Sequence, residues 1–236
     1  MNATAIILAG GTGTRFNSKE PKQFLEIGGK TLLEICLNRF QEHKAINQIV
    51  LVCPALHLAR AEKIAAACPK VRLVLPGGPT RQESSAIGVA AAPEGTENVL
   101  IHDAARALVP PGVISRVLEA LAQSRAVMPV LPASDTTVRV DDAEGVTAVL
   151  DRAKLRRAQT PQGFKLEIIR RAHELAEAEG FTDASDDCSL VLRYNLAPVV
   201  TVGGDAANIK VTVPPDLVIA EAILKNRSVL GIRRKV

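Results

Sequence analysis

The stretch Ile6–Lys22, IILAGGTGTRFNSKEPK, constrains this chain more than any other. The apolar run Ala5-Ile6-Ile7-Leu8 reads as a buried strand, and it breaks at Gly10, Gly11 and Gly13. Glycine removes the Cβ and permits positive φ, so backbone N–H groups can converge on an anion as large as a triphosphate. Arg15 and Lys22 add two positive charges across the loop. The spacings G-x-G-x-x-G and G-K-[ST] are both absent, which weakens a dinucleotide or P-loop reading. From the glycines alone, a strand-to-helix turn without a ligand stands beside a phosphate site. The paired cations favour the phosphate site, because open α/β sheets place ligands at the C-terminal ends of their strands.

Downstream, buried-strand runs recur at Ile49–Cys53, Val71–Leu75, Asn98–Ile101, Ala126–Leu131 and Val199–Val202. Between them the apolar spacing predicts helices over residues 32–40, with Thr31 as cap, and over 57–68, 81–92, 111–124, 165–179 and 215–226. Ser and Asp residues within 182–192 can cap a further helix. This alternation implies βαβ units and a largely parallel sheet. Residues 132–151 break the pattern: β-branched residues alternate with polar ones around Asp142-Ala143-Glu144-Gly145, which predicts a β-hairpin. The core does not need that hairpin, so it is expected to protrude as an arm of the kind that subunits exchange.

The candidate site residues follow the strands. Gly77-Gly78, with Ser84 near the next helix start, reads either as a nucleotide base pocket or as a plain turn. Asp103 closes the fourth strand where a metal ion on a nucleotide phosphate would be held, and Arg106 adds a charge suited to a phosphate. The neighbouring His102 reads as packed or hydrogen-bonded rather than as a base. Asp205, after the last strand, is a second candidate ligand for a divalent cation. Neither a Ser-His-Asp spacing nor a reactive cysteine setting stands out. Cations and carboxylates without histidine chemistry suit phosphoryl or nucleotidyl transfer, in which positioning and charge stabilisation dominate.

Composition narrows the partners. With 47% hydrophobic and 23% charged residues over 236, the chain reads as one soluble α/β domain spanning 1–236, with no further domain after the terminal helix. The longest apolar windows fall short of a membrane span, and the start MNATAIILAGG does not read as a secretory signal, so a cytoplasmic location is expected. Cys36, Cys53, Cys68 and Cys188 lack metal-ligand spacing and are expected reduced and mostly buried. A net charge of +4 without a basic run, and only five Phe, one Tyr and no Trp, speaks against nucleic acid and for an anionic small molecule.

Seven ordered segments carry a resemblance: LAGGTGTRF with EPKQFLEIGGKTLLE, IHDAARALV, SDTTVRV, LDRAKLRRAQTPQGF, SDDCSLVL and GGDAANIKVTVPPDL. Together they resemble the 2-C-methyl-D-erythritol 4-phosphate cytidylyltransferases of the non-mevalonate isoprenoid pathway. The resemblance implies a Rossmann-like sheet flanked by helices, homodimerisation through the arm, and CTP and methylerythritol phosphate as substrates with magnesium or another divalent cation. It implies that Arg15 and Lys22 stabilise charge building on the α-phosphate, and that Lys210 and Arg152 position the acceptor phosphate. Arg152 and Thr136 would be delivered to the partner's site, with Arg106 and Thr160 lining the same pocket. Ala9 to Gly13, Gly78, Ser84, Asp103 and Ala104 would hold CTP. Three positions depart from the family pattern: Ala107 stands where proline is usual after HDAAR, Pro79 stands where an acidic residue often follows the glycine pair, and the opening reads LAGG. The last form is shared with ribitol-5-phosphate cytidylyltransferases, the alternative that changes only the polyol.

Overall fold

The structure is a computed structural model and describes residues 2–11 and 20–226. Strand β1 (Ala3–Leu8) is buried along its whole length, and it pairs in parallel with β4 (Gln48–Cys53) on one side and β6 (Asn98–Asp103) on the other. β5 (Val71–Pro76) extends the sheet in parallel beyond β4. On the far side, β7 (Ala126–Pro132) and β12 (Val199–Gly203) are parallel to each other. Between β6 and β7 lies β11 (Gln162–Lys165), antiparallel to both, and β10 (Arg156–Ala158) continues along the same edge of β7.

The antiparallel insertion is where the sequence reading falls short. Residues 159–164 carry Gln, Thr, Pro and Gly, and the apolar period is too short to announce a strand. Phe164 is nonetheless completely buried, and Gly163 permits close packing from the helix above. A methyl on Gly163 would lie 2.4 Å from Val117 Cγ1, so only glycine allows that approach.

The period of two along β1 sorts side chains to two faces. Ala3, Ala5 and Ile7 join one core with the helices α1 (Leu32–Glu42), α2 (Leu58–Ala65) and α4 (Pro111–Ala120) and with Ala220 of α7 (Pro214–Lys225). Ile6 and Leu8 join the other, with α3 (Arg81–Ala90), α5 (Leu166–Glu179) and α6 (Asp187–Arg193). This is the mostly parallel, helix-flanked sheet that the alternation implied.

Helix starts carry their own reasons. Thr31 caps α1 in a capping box with Glu34, and Thr80 does the same for α3 with Glu83. Gly28 and Gly29, at φ of 58° and 76°, turn a small hairpin of β2 (Glu26–Ile27) and β3 (Lys30–Thr31). The predicted arm is present as β8 (Val138–Val140) and β9 (Val146–Val149), which pair only with each other and leave Val138, Val140, Val146 and Val149 exposed.

Candidate active site

The ends of β1, β5 and β6 come together at one cavity of about 340 Å³. Its wall includes Ala9, Gly10 and Gly11 after β1, Lys22 and Gln23, Gly78 to Arg81 and Ser84, Asp103 to Ala105 after β6, and Lys210. Two glycine segments approach each other because Ser84 sits between them. A Cβ on Gly77 would lie 2.7 Å from Ser84 Oγ, and one on Gly10 would lie 3.5 Å from it. Ser84 Oγ donates to Thr80 O at 3.0 Å, which holds it there. Lys22 folds over the first loop, since a Cβ on Gly11 would lie 3.1 Å from its Cε. Arg15 and Gly13 lie outside the described residues.

Asp103 is the one carboxylate in the described wall of this cavity, and two cations hold it. Arg81 Nε donates to Oδ1 at 3.1 Å, and Lys210 Nζ donates to Oδ2 at 2.8 Å. Burial by itself would raise the Asp103 carboxyl, but Arg81 and then Lys210 outweigh it and keep the group well below the usual carboxylate range. The site therefore presents an ionised carboxylate held between Arg81 and Lys210.

Beneath it lies a hydrogen-bonded layer. The Asp103 N–H donates to Thr160 Oγ1 at 3.2 Å, and Thr160 Oγ1 contacts His102 Nδ1 at 2.9 Å. The other ring nitrogen, Nε2, lies 3.2 Å from Arg106 O; a carbonyl only accepts, so Nε2 carries the proton and Thr160 donates to Nδ1. Burial lowers the His102 pKa to about 4, so the ring is neutral at physiological pH, which fits the sequence reading of a hydrogen-bonded residue. Arg106 donates to Asn208 O and Ala158 O, bracing the segment that carries Lys210 rather than lining the cavity. Thr160 likewise sits under Asp103 and is buried.

Gln159 fixes the same segment. Its Oε1 accepts from the Asp205 N–H and Asn208 Nδ2, while its Nε2 donates to Asp205 O and Asn208 O. The Asp205 carboxylate turns onto its own loop, where Oδ1 accepts the Ala207 N–H at 2.8 Å, and it does not line the cavity. Arg152 and Thr136 are exposed and lie apart from it. Arg152 lines a separate hollow of about 660 Å³ at the base of the arm and donates to Ser134 O.

Sequence reasoning overlooked Arg81, Gln159 and Asp187. Arg81 carried a faint signal, as the first helical residue after a glycine pair. Asp187 stood in a run read as a helix cap. Asp186 fills that capping role, accepting from the Ser189 N–H, whereas Asp187 points inward.

The arrangement sets two glycine segments, the cations Lys22, Arg81 and Lys210, and one ion-paired carboxylate around a single cavity. The sequence profile of the 2-C-methyl-D-erythritol 4-phosphate cytidylyltransferase family matches residues 3–226. The chain belongs to this family. The cytidylyltransferase of Thermobifida fusca (strain YX) is 47% identical over 231 residues, covering 94% of this chain and 92% of that one. A ribitol-5-phosphate cytidylyltransferase of Vibrio parahaemolyticus serotype O3:K6 is 38% identical, covering 97% and 98%. Among solved structures, 4-diphosphocytidyl-2C-methyl-D-erythritol synthase from Anaerococcus prevotii DSM 20548 superposes with a TM-score of 0.84 at 30% identity, covering 95% and 96%. This cytidylyltransferase family member thus shares the fold of its relatives over almost its full described length.

Proposed function

We propose that the protein transfers CMP from CTP to 2-C-methyl-D-erythritol 4-phosphate, giving 4-diphosphocytidyl-2-C-methyl-D-erythritol and pyrophosphate. The observation that carries this reading is the cavity that joins the Gly10-Gly11 backbone, Lys22, Arg81, Asp103 and Lys210 at the C-terminal ends of parallel strands. An oxygen of the acceptor phosphate attacks the α-phosphorus of CTP in line. The bond from that phosphorus to the bridging oxygen of the β-phosphate breaks, and pyrophosphate leaves with the electron pair. No proton must move on carbon, so the protein's task is to align two polyanions and neutralise the charge that builds between them.

Lys22 and Arg15 fit the role of stabilising the α-phosphate as it becomes five-coordinate. Lys210, on a segment braced by Gln159 and Arg106, fits the acceptor phosphate. Backbone N–H groups of the glycine loop and Ala104, with Gly78 and Ser84, fit the nucleotide. A divalent cation carried by phosphates asks the protein for only one or two carboxylates. Asp103 is the carboxylate that stands at the cavity for that role, its two oxygens held by Arg81 and Lys210 here, whereas Asp205 turns onto its own loop and does not line the cavity. When bound, magnesium or a similar ion would neutralise and orient the triphosphate.

The exposed valines of the β8–β9 hairpin support a homodimer through the arm, with Arg152 and Thr136 offered to the partner's acceptor site. Among the described residues no helix is long and apolar enough to cross a membrane. The four cysteines are free and buried, as suits a cytoplasmic enzyme.

Ribitol 5-phosphate is the second acceptor to consider, because the Vibrio relative covers nearly the whole chain. Pyrophosphate release from CTP and magnesium, run in parallel with the two polyol phosphates, tests the reading. Turnover with methylerythritol phosphate is expected. Turnover with ribitol 5-phosphate alone moves the assignment to that polyol, and release with neither refutes the cytidylyl transfer.

A further inference from the structure

Arg81 does more than line the cavity. Its guanidinium is a bridge between two carboxylates from distant parts of the chain: Nε donates to Asp103 Oδ1 at 3.1 Å and NH1 donates to Asp187 Oδ2 at 2.8 Å. Asp187 stands one layer behind the site, at the start of α6, with its side chain only 1% exposed. There it is over-determined. Ser85 Oγ donates to its Oδ1 at 2.5 Å, His173 Nε2 lies 3.6 Å from the same oxygen, and its backbone N–H donates to Gln162 Oε1. Gln162 also accepts from the Cys188 N–H and donates to Asp186, so the whole turn is pinned to β11.

A buried carboxylate with this many partners is a fixed post, and a guanidinium is a rigid planar fork. Fixing one tine fixes the other. Asp103, the carboxylate at the cavity, is thereby held at Oδ1 by a group that cannot swing. Its second oxygen is held by Lys210, whose side chain is 43% exposed. The two oxygens of Asp103 thus have unequal restraint: one is tied into the interior, the other to a side chain near solvent.

We propose that Asp187 is a positioning residue for nucleotide binding: through Arg81 it sets the orientation in which Asp103 meets a divalent cation carried by CTP. This rests on the cytidylyltransferase reading, and it adds a residue that touches neither substrate. Outer partners that orient ligating groups typically change metal affinity or activity about 10- to 100-fold when removed. The substitution Asp187→Asn keeps the size of the side chain and an acceptor for Ser85. It removes the charge that anchors Arg81.

The test is calorimetric titration of the full chain with CTP and no acceptor, once with magnesium and once with chelator, so that no turnover is involved. In the wild-type protein magnesium should tighten CTP binding. Asp187→Asn should reduce that magnesium-dependent gain by about tenfold or more. Its affinity for metal-free CTP should be unchanged or slightly higher, because Arg81 would then carry an uncompensated positive charge. Arg81→Lys, which keeps the charge but not the fork, should lose the same gain and guards against a variant that fails to fold.

A variant with a lower melting temperature but a full magnesium-dependent gain would reduce Asp187 to a structural tie and overturn the proposal. An equal loss with and without magnesium would also overturn it, since the effect would not pass through Asp103. A wild-type protein that does not bind CTP at all would remove the cytidylyltransferase reading, and this inference with it.

Discussion

Lowering the pH should destabilise this protein chiefly through His102, a buried ring at the base of the candidate active site. His102 is fully buried, donates from Nε2 to Arg106 O and accepts at Nδ1 from Thr160, so its cavity is built for the neutral tautomer. Its pKa falls from 6.5 to about 4 on folding, with burial as the main cause. The sign follows directly. Between those two values the unfolded chain binds the proton and the folded chain does not, so stability is lost as pH falls through the window. At pH 5 the unfolded histidine is almost wholly protonated and the folded one almost wholly neutral, which amounts to about 2 kcal/mol relative to pH 7, approaching about 3 kcal/mol at pH 4.

The perturbation is the pH change itself, compared between the wild-type protein and His102→Gln. The variant loses stability at every pH because glutamine does not reproduce both hydrogen bonds, so only the slopes are compared. Urea unfolding at pH 7 and pH 5 should show the wild-type protein losing about 2 kcal/mol more than the variant over that interval. Burial also lowers the pKa of His43, but that contribution is common to both proteins and cancels. Equal slopes would refute the tautomer argument. A further loss below about pH 4 belongs to the carboxylates. Burial raises the Asp187 carboxyl, but Arg81 and the other partners outweigh it and hold its pKa at about 2, so its contribution disappears as pH falls towards that value.

Four other perturbations have defined outcomes. Gly88→Ala would put a methyl 2.4 Å from Ile6 Cγ2 and 3.2 Å from Val52 Cγ2, pushing α3 off the sheet; thermal unfolding should report a loss of about 1–3 kcal/mol. Lys22→Ala should cut pyrophosphate release at least about a hundredfold while leaving the melting temperature nearly unchanged, and unaltered turnover would take Lys22 out of the mechanism. Gln159→Ala removes the clamp on the segment that carries Lys210 and should lower turnover by about tenfold or more, with the acceptor KM moving more than that for CTP. The proposed arm-mediated dimer predicts that the wild-type protein sediments as a dimer and that Val146→Asp with Val149→Asp, at two valines 64% and 69% exposed in the chain, shifts it towards the monomer; a monomeric wild-type protein or an unchanged variant would refute the arm as interface.

Much of this architecture is legible in the chain. Continuous apolar runs mark β1, β4 and β6 and 3.6-residue patterns mark most helices, because a strand buried on both faces must be apolar throughout and a helix on a sheet must carry one apolar stripe. The glycine loop, Lys22 and Asp103 were visible because they follow apolar strand runs, where open α/β sheets place ligands, whereas Lys210 was reached through the family resemblance. The arm was visible because its alternating valines serve no core.

Other features were settled only by the tertiary structure. β11 could not be read from its own residues: its strand character comes from the slot between β6 and β7, which buries Phe164 and presses Gly163 against α4. The roles of Arg81, Asp187 and Gln159 depend on partners tens of residues away, 106 positions in the case of Arg81 and Asp187. Arg106 and Asp205, plausible as phosphate and metal contacts in the sequence, face backbone groups of the loop they stabilise. Local sequence determines which segments can be strands, helices and anion-binding turns, since those preferences are set by near neighbours along the chain. Which charge meets which charge is decided by packing, because an ion pair's energy depends on distance and burial in space.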